Sequence, residues 1–208
     1  MQYKLFFIAL CNKNEVTVES TPPDSPQITF LFFSFLLSSL ILLFRKSLSL
    51  NLFLILQILL GGWTSTNYAS LACTDFPKCL DQWYPKEMVF GDAFKLVDLP
   101  DVNYEGGILA YGAKVAIHYS HRITALILTF VFVSALYVVY KLNDHSVLKK
   151  IMSVSIIFFL LQIILGISNV VYSLPLNIAV WHTMNAAILM ALISSALYYC
   201  LVSFYKTR

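Results

Sequence analysis

The sequence predicts an all-α integral membrane protein of about five transmembrane helices, the last four forming a four-helix bundle with an internal two-fold relation. Three observations carry that prediction. Of 208 residues, 59% are hydrophobic and only 12% charged, about half the charge of a water-soluble domain. Mean hydropathy is +0.75, and the apolar residues fall into runs approaching the length needed to cross a bilayer. Finally, Leu56-Gln57-Ile58-Leu59-Leu60-Gly61 recurs as Leu161-Gln162-Ile163-Ile164-Leu165-Gly166, each time at the end of such a run.

Taken in order, residues 1–28 form a tail of unassigned role. Lys4 followed by a short apolar stretch faintly resembles a signal peptide, but no small-residue cleavage site follows. Thr21-Pro22-Pro23-Asp24-Ser25-Pro26 reads as a linker. Residues 29–44 and 48–63 are two short runs separated by Arg45-Lys46-Ser47. One long bent helix is an alternative, but two adjacent cations in mid-bilayer are costly. A hairpin is therefore expected, with 29–47 an extra span and cytoplasmic turn. Residues 48–208 then form the bundle, with further spans over 115–140, 151–172 and 178–205.

Orientation follows from the cations. Arg45 and Lys46, then Lys141, Lys149 and Lys150, then Lys206 and Arg208 fall on one side of five spans. That side is cytoplasmic by the positive-inside rule, as is the carboxy terminus, and the amino terminus is outside. The connection 64–114 also lies outside, with seven acids (Asp75, Asp81, Glu87, Asp92, Asp98, Asp101, Glu105) against four lysines. The net charge of +3 is a topology signal, and no nucleic-acid patch is visible. The outer connection is long and aromatic, and such a length is uncommon without a purpose; it is expected to fold over the outer end of the bundle.

Of four histidines, His145 lies in a cytoplasmic connection and reads as a solvated residue. His118 and His121 share a face at the start of the third span, and His182 stands near the start of the fifth. His121 and His182 lie about six and four residues below their outer ends, within roughly 3 Å in depth at ~1.5 Å per residue. Two imidazoles at one level on two helices can ligate a haem iron from opposite faces. Zinc wants three or four protein ligands, whereas a porphyrin supplies four nitrogens of its own. Arg122 could neutralise a propionate or simply snorkel. Cys73 and Cys79, six apart on the oxidising side, suit a disulfide, a redox-active dithiol being the alternative. The paired glutamines and glycines read as helix-packing residues.

Leu60-Gly61-Gly62-Trp63-Thr64-Ser65-Thr66-Asn67-Tyr68-Ala69, Cys73 to Cys79 and Ala116-Ile117-His118-Tyr119-Ser120-His121-Arg122 resemble the haem A synthase family. So do Leu165-Gly166-Ile167-Ser168-Asn169-Val170-Val171, Leu174-Pro175-Leu176 and His182. The resemblance runs from about residue 50 onward and matches the carboxy-terminal half of that architecture. It implies an inner-membrane oxidoreductase that converts the haem O methyl to the formyl of haem A for cytochrome oxidase assembly. The half resembled here is the one holding haem b, with His121 and His182 as axial ligands, His118 as a secondary candidate and Cys73/Cys79 as the family's outer-loop pair. The amino-terminal half, with its substrate pocket, has no counterpart here, which leaves open a fragment, a split subunit completed by a partner chain, and the product of a disrupted gene. A stand-alone b-type cytochrome relay and a haem-free membrane assembly protein are the alternatives.

Overall fold

The computed structural model describes residues 26–95, 106–142 and 146–206. His145 and Cys11 lie outside them. The described chain is helical: α1 (Pro26–Thr66), a single turn α2 (Phe90–Ala93), α3 (Tyr111–Leu142), α4 (Ser146–Val171) and α5 (Leu176–Lys206). The chain divides into two compact units, Met1–Leu37 and Ser38–Arg208. In the first, the described part is helical backbone from Pro26 onward.

The expected hairpin at Arg45-Lys46-Ser47 is not formed, because α1 is unbroken through these residues. The physical reason is local. Between Gln27 and Leu60 there is neither a proline nor a glycine, so nothing removes a backbone donor or favours a reversal. Ser49 Oγ and Asn51 Nδ2 also bond back to the carbonyls of Lys46 and Ser47 at 2.9 Å each, so they add no competing turn. At Arg45-Lys46-Ser47 there is helix in place of the expected cytoplasmic turn. Four described helices are long and apolar enough to cross a membrane: Ser38–Thr66, Tyr111–Lys141, Val147–Val171 and Leu176–Ser203.

Their outward faces explain the composition. Leu59, Phe130, Ile157, Ile164 and Leu176 are all more than half exposed, a surface suited to lipid rather than water. The inward faces meet in one core drawn from all four helices, with Leu50 and Leu54 of α1, Leu128 and Phe132 of α3, Met152 and Phe159 of α4, and Leu189 and Ile193 of α5. Phe132 and Phe159 stack at 4.1 Å between centroids, 7° from parallel. Asn51 ties α1 to α5 within this core, donating to the Ile193 carbonyl at 3.2 Å and accepting from Ser194 Oγ at 3.0 Å.

The duplication continues into the helix ends. After Gly61, the N–H of Tyr68 bonds the Ser65 carbonyl and that of Ala69 bonds Thr64. After Gly166, Ser173 bonds Val170 and Leu174 bonds Asn169 in the same register. Tyr68 and Ser173 both take the left-handed conformation, at φ 53° and 57°. This is the Schellman cap, used twice.

The outer connection is built on the ends of α1 and α3. Trp63 Nε1 donates to Ala93 O at 2.9 Å, Tyr111 Oη to Ala72 O at 3.1 Å and Tyr119 Oη to Trp83 O at 2.9 Å. Ala69, Ala93, Ala113, Ala116 and Ile117 are sealed beneath it.

Candidate cofactor site

The repeated hexapeptide places a glutamine and a glycine four residues apart, hence on one helix face. In both copies that face meets a histidine of the next long helix. Gln57 Nε2 lies 3.1 Å from His121 Nδ1 and 3.4 Å from its Nε2, and donates to the His121 carbonyl at 3.1 Å. A Cβ built on Gly61 would stand 3.1 Å from Cε1 of the same ring. In the second copy Gln162 Nε2 lies 3.2 Å from His182 Nε2, and a Cβ on Gly166 would stand 3.2 Å from His182 Cε1. Each ring therefore lies against a glycine, edged by the amide one turn earlier.

Asn185, three residues after His182, completes the second arrangement. It donates to Gln162 Oε1 at 2.6 Å and to the Phe158 carbonyl at 2.9 Å. Four buried side-chain atoms lack a hydrogen-bond partner among the described residues: Gln57 Oε1, Asn169 Oδ1, His182 Nδ1 and Asn185 Oδ1. Three of them belong to these two arrangements, and Asn169 is three residues beyond Gly166. Buried polar groups are rarely left unsatisfied, so their concentration here marks a place for a polar or ligating group. Among the described residues no three His, Cys, Asp or Glu side chains converge as a metal-ion cage. The donor set suits a group that brings most of its own ligands and needs two imidazoles.

His118 and Arg122 turn to the outer loop. Arg122 Nη1 donates to the carbonyls of Asp75 (2.9 Å) and Lys78 (2.8 Å), and Nη2 to that of Cys73 (2.8 Å). Its Nε reaches His118 Nε2 at 3.2 Å. Four of its five N–H groups are thus engaged, and one on Nη2 remains. His118, 5% exposed, also receives the Cys73 N–H on Nδ1 at 3.3 Å. A neutral imidazole has one acceptor nitrogen, so the ring satisfies one of these two donors at a time.

Cys73 and Cys79 form a disulfide with Cα atoms 4.8 Å apart, both sulfurs' residues sealed from solvent. Leu80 and Asp81 adopt positive φ and are held there by Asp75, whose carboxylate accepts their N–H groups at 2.7 and 2.9 Å. Burial pushes the Asp75 carboxyl up, but the hydrogen bonds from Asp81 and Leu80, with Arg122 nearby, outweigh it and hold the carboxyl below the usual range.

Sequence reasoning singled out the histidines but read the glutamines and glycines as helix packing. The i, i+4 spacing was the available signal for their shared face. Asn185 was missed, although its place one turn after His182 puts it beside that ring.

The profile of the COX15-CtaA family, described as cytochrome oxidase assembly protein, matches residues 39–194. The chain is 43% identical over 137 residues to "Heme A synthase" of Shewanella oneidensis, covering 66% of this chain and 40% of that protein. It is 28% identical over 149 residues to "Heme A synthase" of Neorickettsia sennetsu, covering 72% and 41%. The protein of that name from Roseobacter denitrificans is 27% identical, covering 69% and 34%. The chain spans about two-fifths of the length of the first two of these relatives. No solved structure matches it. With three-quarters of its length inside the profile, the chain belongs to the COX15-CtaA family of cytochrome oxidase assembly proteins.

Proposed function

We propose that this chain is the haem b-holding half of a haem A synthase-type membrane oxidoreductase, with His121 and His182 as the axial ligands. The observation that carries the reading is the doubled arrangement of glutamine, glycine and histidine. In each copy it sets an imidazole against a glycine and beside an amide, next to buried polar atoms that lack partners among the described residues. A bis-imidazole porphyrin requires two protein ligands and apolar walls, both of which this bundle offers. Haem b, when bound, supplies one-electron redox chemistry, which protein side chains do not provide.

The chain's own residues do the rest. His121 and His182 offer ring nitrogens; Gly61 and Gly166 leave room for the rings; Gln57 and Gln162 orient them. Arg122 fixes the disulfide loop above α3, and its remaining Nη2 hydrogen could meet a propionate. His118 supports that loop. The relatives' name, heme A synthase, supports haem A as the product; haem O as the substrate and a partner segment or chain completing the substrate side belong to the same proposal. The inner membrane, with the loop outside and the carboxy terminus cytoplasmic, is the location that the cation distribution supports.

A pyridine haemochrome assay and reduced-minus-oxidised spectrum of the purified full chain test this. The expected result is about one haem b per chain, lost in His121→Ala and in His182→Ala. Unchanged haem content in both variants would refute the ligand assignment.

A further inference from the structure

Tyr119 heads a face of α3 that the bundle leaves bare. Ile123, Leu126, Phe130, Val133 and Tyr137 follow it at alternating steps of four and three residues, the spacing of a single helix stripe. Each of the five is between 39% and 69% exposed. Tyr119 and Tyr137 stand about 27 Å apart along the helix at 1.5 Å per residue, close to the ~30 Å of a bilayer's hydrocarbon core. At the far end Tyr137 Oη accepts from Lys141 Nζ at 2.6 Å, an aromatic and a cation of the kind found where hydrocarbon gives way to headgroups. At the near end the outer loop comes down onto the stripe. Tyr119 Oη donates to the Trp83 carbonyl at 2.9 Å, and the Tyr84 ring meets the Tyr119 ring edge to face, with centroids 6.0 Å apart. Trp83 and Tyr84 are themselves 69% and 67% exposed. They continue a lipid-facing surface at the level where it ends.

The backbone behind these rings is closed upon itself. Cys79 and Gln82 exchange both N–H···O bonds, Asp75 accepts from Leu80 and Asp81, and Gln82 Oε1 accepts from the Lys86 N–H at 3.2 Å. A turn that satisfies its own amides can approach a region poor in water. Indole and phenol suit that boundary, because each has an apolar body and one polar edge. The exposed charges nearby balance, Lys78 and Lys86 against Asp81 and Glu87, so no net field calls for an anionic partner. We propose that the turn 79–84 is a membrane-docking element, seating Trp83 and Tyr84 among the lipid headgroups of the leaflet on the loop side. It extends the α3 stripe past the edge of the hydrocarbon. The leaflet that holds this turn also holds the loop gripped by Arg122, the residue after His121. The proposal is independent of the cofactor reading.

The test uses the full chain in phosphatidylcholine nanodiscs. Tryptophan emission of the native chain is compared with that of Trp83→Phe, so that the difference belongs to Trp83 and not to Trp63 or Trp181. Lipids brominated near the headgroup end of the acyl chain, or near its methyl end, report depth, and iodide reports water. The Trp83 emission is expected to be blue-shifted, quenched most by the bromine nearer the headgroup and only weakly by iodide. Tyr84→Trp in the native background adds a second reporter, whose extra emission is expected to show the same order. Strong quenching by iodide and none by either bromine would overturn the proposal, placing the turn in water. Protection from iodide and from both bromines would also overturn it, in favour of a protein partner or a second copy covering the patch. Strongest quenching by the bromine nearer the methyl end would overturn the placement among headgroups.

Discussion

Gly61 and Gly62 are neighbours on one helix, and the structure assigns them opposite surroundings. A Cβ at Gly61 would lie 3.1 Å from His121 Cε1, whereas a Cβ at Gly62 would meet nothing within 4 Å. Carbon pairs favour separations of about 3.5–4.0 Å, so in Gly61→Ala the ring must retreat by roughly half an ångström. The ring is not free to do so without strain, because Gln57 bonds both it and the His121 carbonyl. Overpacking of this kind costs about 1–3 kcal/mol. Replacing glycine by alanine also favours helix by up to about 1 kcal/mol, but that gain is common to both positions and cancels in the comparison. Gly61→Ala should therefore be less stable than Gly62→Ala by about 1–3 kcal/mol, with reduced haem content, while Gly62→Ala matches the native chain or exceeds it. Thermal unfolding of the two variants in the same detergent, with haem quantified in each, makes the measurement. Equal stability and equal haem content in both variants would refute the claim that Gly61 exists to admit the imidazole. Gly166→Ala against His182, at 3.2 Å, should repeat the Gly61 result.

Three further outcomes follow from the outer loop. Arg122→Ala removes the donors for three backbone carbonyls and should cost about 2 kcal/mol or more, seen as faster trypsin cleavage at Lys78 and Lys86. Cys73→Ser with Cys79→Ser opens a short loop, which the chain-entropy relation values at about 2–3 kcal/mol. Because both cysteines are sealed from solvent, a phosphine reductant should act on the folded native chain only slowly. Asp75 titrates lower in the folded chain than the ordinary value of 3.8, so its contribution to loop stability is complete above that value and is lost as pH falls through the folded pKa. Protease resistance of the loop should hold from neutral pH down to about pH 4 and decline below it, and Asp75→Asn should abolish that dependence.

The features legible in the sequence are those that repeat or that obey a bilayer. Long apolar runs identify α3, α4 and α5 because membrane-spanning backbone must satisfy itself within the helix, and the duplicated hexapeptide locates both halves of the site. The hairpin is absent because backbone chemistry, not side-chain charge, decides where this helix ends. Arg45 and Lys46 argue against burial in hydrocarbon, but a helix stops only where a residue breaks it or a cap ends it, and no breaker stands there. Gln57 and Gly61 were visible as a spacing, yet which neighbour they touch is decided by three-dimensional packing. For Arg122 the sequence offers a propionate partner or a snorkelling side chain, and its clamp on the loop is a third role that neither reading contains. Three loop carbonyls bind it, and backbone carbonyls in a connection cannot be counted from sequence. Asn185 carried the faintest signal, since one buried amide resembles any other until its partner is known.

The two arrangements differ in how far the chain must travel to close them. Gln57 meets His121 across 64 residues and Gln162 meets His182 across 20. Loop closure grows with the logarithm of length, so the first contact carries about 1 kcal/mol more entropic cost than the second. The longer route is the one fitted with a disulfide, a fixed Asp75 turn and the Arg122 clamp, each of which reduces the freedom of the connection. The short α4–α5 turn needs none of these. The ornament of the outer loop is thus a counterweight, bringing a distant ring into its groove about as readily as the nearby one.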